Sequence, residues 1–322
     1  MEQARAMMSN TSARRLRVVV FPGGFNWPIW VAQAKGFFER LNLKVELTPT
    51  PNSAYQLTSL IAGDFDVAHT AFDNIVAYNE RQIQTQLRRT PDLFAFMGGD
   101  NGLLRFITKA DIRTYADLKG QQLSVDALTT GYAFVLRSML EANGLGKDDY
   151  ELVSVGGGLE RWKALQHEGP VGTLLITPFE LLAKEEGFRL LGNAADVLGR
   201  YQGLVGAANR GWAASHHEEL TGYIRAYLAA LAWLYDPGNR DEAVELLIEN
   251  TTIAPYLSNE VYDVLVDPAQ GVAPAATLDV RGMEAVLALR NRYLIGGPVL
   301  SNVSKYFDLS YYNAATYGPD QA

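Results

Sequence analysis

Between Leu16 and Tyr78 the chain alternates three times between a short apolar run and a segment whose apolar residues fall at helical spacing. Such a β-α-β-α-β-α series constrains the fold more than any other feature, because strands separated by helices pair in parallel through right-handed crossovers. The first run, Leu16 to Phe21, is broken by Pro22, Gly23 and Gly24; Asn26 or Trp27 then occupies a helix-cap position, and Pro28 suits the first turn. Apolar residues at Trp30, Val31, Ala34, Phe37, Phe38 and Leu41 mark one buried stripe. The unpaired N–H groups at that helix start should face a crevice beyond the strand's carboxyl end, where open α/β sheets bind ligands, with Phe25 and Trp27 lining it. The same spacing suits Trp27 and Trp30 as core aromatics.

The unit repeats. Leu43 to Thr48 reads as a strand, Pro49, Pro51, Asn52 and Ser53 break it, and Ser53 can cap a helix that stops at Gly63. Phe65 to His69 is a third strand, and Thr70 to Asn74 opens a third helix. Asp92 to Met97 and Leu103 to Thr108 read as strands on either side of Gly98, Gly99, Asp100, Asn101 and Gly102, a glycine-rich link taken as the first crossing between two lobes. A second α/β series follows, with Thr129 and Thr130 able to cap one helix and Gly156 to Gly158 opening another, before a return strand at Tyr201 to Ala208 and an almost wholly helical remainder. The expected organisation is a flexible N-terminus over 1–15, one lobe from 16–100 and 208–322, a second from 104–203, and hinges near 98–104 and 203–208. The late helices should pack back on the first lobe.

Composition narrows the function. The 322 residues are 48% hydrophobic, enough for two cored lobes, and the net charge of −8 with scattered Lys and Arg argues against nucleic acid as a partner. The absence of cysteine removes disulfides, thiolate nucleophiles, cysteine-ligated zinc and iron–sulfur clusters. No apolar run reaches bilayer-spanning length, so no integral membrane segment is expected. The first fifteen residues contain no apolar h-region and no small-residue cleavage site; no export signal is expected in the chain as written, which leaves a cytoplasmic location and a trimmed or mis-started leader both open.

Three stretches carry a family likeness: WVAQAKGFFERLNLKVEL at 30–47, QLTSLIAGDFDVAHTA at 56–71, and YADLKGQQLSVD at 115–126 with the helix to NGL at 143–145. In order and spacing over roughly 16–210 they resemble the NMT1/THI5-like (SsuA/TauA-like) substrate-binding proteins of sulfonate, nitrate and thiamine-precursor import. The resemblance implies an α/β type II periplasmic-binding-protein fold with two lobes, each a mixed, mostly parallel sheet flanked by helices. It implies the solute-binding component of an ABC importer, a monomer outside the cytoplasm that works with a permease and an ATPase and holds a small molecule reversibly without a cofactor. Carried over by position, the cleft would be lined by Phe25, Asn26, Trp27, Asn52 and Ser53, by Thr70, Phe72, Asp73, Asp100 and Asn101, by Asp126, Thr129, Thr130, Tyr132, Gly157 and Trp162, and by Thr177, Phe179 and Glu180.

Enzymes share this fold, so residues must separate the readings. Where the thiamine-pyrimidine synthases carry their lysine and nearby histidine this chain has Thr70 and Asn74, and the cysteine of the desulfinases has no counterpart. Lyases of the decarboxylase or dehydratase type acting on a small aromatic or cyclic acid need neither and remain the alternative, with His69 and Asp73 as the catalytic candidates. His69 reads equally as a satisfied structural histidine. His216 and His217 are adjacent on a helix start, point apart and do not make a metal site. Acids outnumber bases around the cleft loops, where Arg161 and Arg105 are the nearby cations. With the aromatic side chains these acids favour a neutral or cationic nitrogenous or aromatic ligand over nitrate or an alkyl sulfonate, an aromatic carboxylate being the compromise that also satisfies the helix amino termini.

Overall fold

The computed structural model describes residues 13–83, 85–100, 102, 104–294 and 297–317. Two five-stranded sheets organise them. The first contains β1 (Arg14–Val20), β2 (Leu43–Pro49), β3 (Val67–Ala71), β4 (Leu93–Gly98) and, much later in the chain, β10 (Leu204–Asn209), in the order β2-β1-β3-β10-β4. The second contains β5 (Arg105–Thr108), β6 (Gln121–Val125), β7 (Tyr150–Ser154), β8 (Gly172–Leu175) and β9 (Arg189–Asn193), in the order β7-β6-β8-β5-β9. Each sheet has a parallel trio, and each is crossed by one antiparallel strand that enters from the other side of the molecule: β10 beside β3 and β4, β5 beside β8 and β9. This is the α/β two-lobed arrangement that the strand–helix alternation predicts.

The near-continuous apolar run of β1 follows from burial on both faces. Val18 and Val20 join the core shared with α1 (Trp27–Ala34), whereas Val19 points to the opposite layer beneath α2 (Ser53–Ala62) and α3 (Phe72–Asn79). In the second lobe α4 (Gly131–Ala142), α5 (Gly158–Leu165), α6 (Phe179–Glu185) and α7 (Ala194–Leu198) do the same work. The remainder is α8 (Arg210–Ser215), α9 (His217–Leu234), α10 (Arg240–Asn250), α11 (Ser258–Leu265), α12 (Val280–Tyr293) and α13 (Ser310–Tyr317). Of these, α9 covers α1 and β2, α10 packs on α1, and α13 packs on α9 and β4, all in the first lobe. Helix α12 behaves differently, lying against both α3 of the first lobe and α4 of the second.

Several local readings need correction. The strand β1 begins at Arg14, inside the segment read as a flexible N-terminus, whose residues 1–12 lie outside the described residues. The cap of α2 is Asn52, whose carbonyl accepts the Tyr55 N–H at 2.8 Å; Ser53 is the first helical residue. The return strand starts at Leu204 because Tyr201 and Gln202 are drawn into the crossing between the lobes. Among the described residues no helix is long and apolar enough to cross a membrane.

One buried ion pair fastens α12 to the first lobe. Arg290 Nη1 donates to both carboxylate oxygens of Asp73 at 2.7 and 2.8 Å, its Nε–H donates to Gln82 Oε1 at 2.8 Å, and both charged side chains are essentially solvent-free. Removing one partner strands a desolvated charge, which costs about 3–5 kcal/mol, whereas an apolar pair of similar volume restores much of that stability. Chemical denaturation of Asp73→Leu, Arg290→Met and the double variant should show two large losses and a double variant more stable than either; strictly additive losses would contradict the pairing.

Candidate functional site

The two sheets turn the carboxyl ends of their parallel strands toward each other, and a cavity of ≈ 50 Å³ lies where those ends meet. The first lobe supplies Phe21, Pro22 and Phe25 from the link after β1, Ala71 from the end of β3, Asn74 from the first turn of α3, and Leu204 from β10. The second supplies Asp126 after β6, Thr130, Gly131 and Tyr132 at the start of α4, Gly157, Gly158 and Arg161 at the start of α5, and Ile176 after β8. One wall is therefore mostly apolar and aromatic, the other polar and charged. An adjoining chamber of ≈ 160 Å³ shares Asn74 and Thr130 and is lined further by Ser53, Tyr78, Leu128 and Thr129, so the cleft continues outward between the same elements.

Three contacts between the lobes close the rim. Gly157 N–H donates to Pro51 O at 2.7 Å, Gly24 N–H donates to Thr177 O at 3.1 Å, and Ser53 N–H donates to the Asp126 carboxylate at 3.2 Å. The approach at Gly157 leaves no room for a side chain: a Cβ there would lie 2.9 Å from the Phe21 ring and 3.0 Å from Pro51 O. The triple glycine at 156–158 thus serves contact between lobes as well as entry into α5.

Arg161 is the charged centre of the polar wall. It is 5% exposed, donates to Gly156 O at 2.9 Å and Leu174 O at 3.0 Å, and among the described residues has no carboxylate within ion-pair distance. Burial lowers its pKa from the usual guanidinium value, with Asp126 the first of the charges opposing that effect. Two of its five N–H donors are spent on these carbonyls, leaving donors for a bound molecule. The Tyr132 hydroxyl is pushed well above the ordinary phenol value, first by burial and then by Asp100, and stays a neutral donor or acceptor.

Of the residues expected from sequence, Phe25, Asp126, Thr130, Tyr132 and Gly157 line the cavity, while Ser53 and Thr129 line the outer chamber. The others lie elsewhere. Trp27 is fully buried in the first lobe, its indole N–H donating to Ala243 O at 3.0 Å and its ring edge-on to Tyr262. Phe72 is likewise in the core, edge-on to Tyr306; both open helices on sheets covered on both faces, so their side chains fall back onto the layer beneath. Trp162 and Phe179 fill a small second-lobe core with Leu165 and Leu175. Asn26 Nδ2 donates to Phe21 O at 2.7 Å and braces the turn from behind, and Asn52 is spent on its cap. Thr70 Oγ1 accepts from Asn74 Nδ2 at 2.9 Å, Asp73 is held by Arg290, and Asp100 lies between the two chain crossings. Thr177 Oγ1 donates to Glu180 Oε1 at 2.5 Å, and burial pushes the Glu180 carboxyl up to about 7 against that bond. Asn101 lies outside the described residues.

Sequence reasoning passed over Asn74 and Phe21 as cavity-lining residues and treated Arg161 only as a nearby cation. The available signal for Arg161 was a lone arginine one turn beyond three glycines. Among the described residues no group of three or more His, Asp or Glu is arranged to hold a metal ion.

His69 and Asp73, the catalytic candidates of the lyase alternative, both lie off the cavity lining. His69 is fully buried in β3 with Nε2 2.8 Å from the Tyr223 hydroxyl, and burial pushes its pKa down to about 3. The unfolded chain takes up a proton below about 6.5 that the folded chain refuses, so this group removes stability as pH falls from about 6.5 toward 3, by about 2 kcal/mol at pH 5. Glu180, raised to about 7, and Asp100, raised to about 6, act in the opposite sense, because their folded carboxyls hold protons more tightly than the unfolded ones. Comparison with His69→Gln isolates the histidine: on going from pH 7 to pH 5 the change in Tm should be more favourable in the variant than in the parent, and equal changes would contradict a neutral buried imidazole.

The geometry has relatives. A Haemophilus influenzae protein provisionally named for thiamine biosynthesis is 27% identical over 253 residues, covering 72% of this chain and 76% of that protein. The periplasmic nitrate-binding protein of Synechocystis PCC 6803 superposes with a TM-score of 0.79 at 11% identity, over 96% of this chain and 89% of that one. The ligand-binding component of an ABC-type import system from Staphylococcus aureus, solved with zinc bound, superposes with a TM-score of 0.75 at 14% identity, over 94% and 99%. These two share the type II periplasmic-binding-protein fold seen here. The NMT1/THI5-like family model matches residues 26–239, well over half the chain, and the chain belongs to that family.

Proposed function

We propose that this protein is the solute-binding component of an ABC importer, a monomer acting outside the cytoplasmic membrane that closes its lobes on a small aromatic nitrogenous molecule and hands it to a permease and its ATPase. The observation that carries this reading is the two-sided cleft: Phe21, Pro22 and Phe25 from one lobe oppose Asp126, Tyr132 and Arg161 from the other, with the rim closed by bonds between lobes. A flat ring would bury its face on the first wall and present both a donor and an acceptor to the second. Asp126 favours an amine or ring N–H, and Arg161 favours a ring nitrogen or carbonyl. A nitrate or alkyl sulfonate would bring negative charge to Asp126 without using the aromatic wall. The thiamine-biosynthesis name of the Haemophilus relative supports a pyrimidine-like molecule, and the import role of the Staphylococcus aureus protein supports transport over chemistry.

Calorimetric titration with 4-aminopyrimidines, aromatic carboxylates and alkyl sulfonates tests the ligand class. Aminopyrimidines should bind best, Asp126→Asn should weaken them by at least tenfold, about 1.4 kcal/mol, and Trp27→Phe should leave affinity within about twofold. Tight sulfonate binding that improves in Asp126→Asn would overturn the class. Closure is tested separately by Gly157→Val: Tm should change little while affinity falls more than tenfold through faster dissociation, because the new side chain collides with Phe21 and Pro51 only when the rim shuts. Unchanged affinity would mean that this contact is not part of binding.

A further inference from the structure

The chain passes between the sheets twice, once between β4 and β5 and once between α7 and β10, and one buried carboxylate touches both passages. Asp100 stands in the first, 6% exposed. Its Oδ1 accepts the Gly102 N–H at 3.0 Å within the same passage, and its Oδ2 accepts the Leu204 N–H at 3.1 Å, where the second passage enters β10. The carboxylate lies flush on the second passage, since a Cβ at Gly203 would come within 2.6 Å of Oδ1. Gln202, in that second passage, runs a parallel tie: its Nε2 donates to Leu204 O at 3.0 Å and Asp100 O at 3.4 Å, while its Oε1 accepts the Asp279 N–H at 2.8 Å. The first passage is also pinned to the first lobe, through Ala273 N–H to Gly99 O at 3.0 Å and an antiparallel bridge from Asp100 to Val272.

No lysine or arginine pairs with Asp100 among the described residues, and burial pushes its carboxyl up to about 6 in spite of the two N–H bonds. A buried acid without a counter-ion is a poor device for stability. Its geometry suits another purpose, because two independent passages would let the lobes twist as well as swing, whereas two passages bonded to each other share one axis.

We propose that Asp100 is the positioning residue of the hinge, coupling the two passages so that the lobes open and close along a single path and the rim contacts at Gly24, Ser53 and Gly157 meet in register. This rests on the reading that the lobes hinge about these passages, and its primary test needs no ligand. The absence of native cysteine allows clean spin labelling at Lys44→Cys in the first lobe and Lys147→Cys in the second, both exposed positions.

Pulsed dipolar spectroscopy on the ligand-free protein should give a narrow distance distribution in the parent. Asp100→Ala should at least double its width, and Asp100→Asn, which keeps one acceptor and the side-chain volume, should broaden it less while remaining folded. A purely structural role would lower Tm in proportion and leave the width of the folded fraction alone. Unchanged widths in both variants overturn the proposal whatever happens to Tm. A second arm uses the best binder of the calorimetric series: at least tenfold weaker binding in Asp100→Asn, carried by dissociation, supports the proposal, and parent-like dissociation kinetics contradict it. Failure of every compound to bind the parent protein would count against the proposed ligand class and leave the distance measurement as the deciding test of the hinge.

Discussion

The close approach of two backbones at the rim, Gly157 N–H to Pro51 O at 2.7 Å, sets the terms for the rest of the molecule. It requires a residue without a side chain on the second lobe and a proline-bounded turn on the first, and it brings the starts of α2 and α5 into one small volume. Three hydrogen bonds at the rim contribute about 1 kcal/mol each in net terms, too little to lock the lobes alone. Further bonds cross at Lys184–Glu260 and Tyr293–Glu141, and a molecule touching both walls would add to them, since a ligand shifts a population of open and closed forms by its differential affinity for the two. The cavity of ≈ 50 Å³ is well below the roughly 150 Å³ in which benzene fits an engineered cavity, so a ring-sized ligand must extend toward the outer chamber or hold the rim slightly apart.

Charge is distributed so that the cleft and its supports do different work. Asp126 and Arg161 face the cavity without forming an ion pair with each other, which leaves both to interact with a guest. Asp73 and Arg290 neutralise each other in the packing behind it and fasten α12 beside the start of α4, with Arg290 Nη1 3.5 Å from Thr129 O. Asp100 lies at the passages between lobes. Of the acids that the sequence places near the cleft, Asp126 lines the cavity, Asp73 sits in a structural ion pair, Asp100 bonds both passages between the sheets, and Glu180 is held by Thr177.

Much of the architecture was legible because it rests on local pattern. The apolar run into Pro22 and Gly23, the breaker cluster before α2 and the glycines around Asp100 each mark a change of element, and β1 carries the unbroken valines of a strand covered on both faces. What a local pattern cannot convey is which face of a first helical turn looks into the cleft. Trp27 and Phe72 stand at the right places in the chain, but a doubly covered sheet draws large apolar side chains inward, and both are core. Asn74, two residues beyond Phe72 on the same turn, faces the cavity instead. Arg290 lies 217 positions from the Asp73 it neutralises, and no spacing rule could have joined them. Arg161 was visible as a cation near the cleft, yet its burial and its orientation by Gly156 O and Leu174 O exist only once α5 is packed on β8.

Native mass spectrometry of the freshly purified protein shows whether the cleft holds one small aromatic nitrogenous molecule reversibly. A single non-covalent adduct of low mass is expected, released unchanged on gentle activation and lost or strongly depleted in Asp126→Asn. An adduct identified as an alkyl sulfonate or an inorganic anion, or a candidate ligand recovered chemically altered after incubation with the protein, would contradict it.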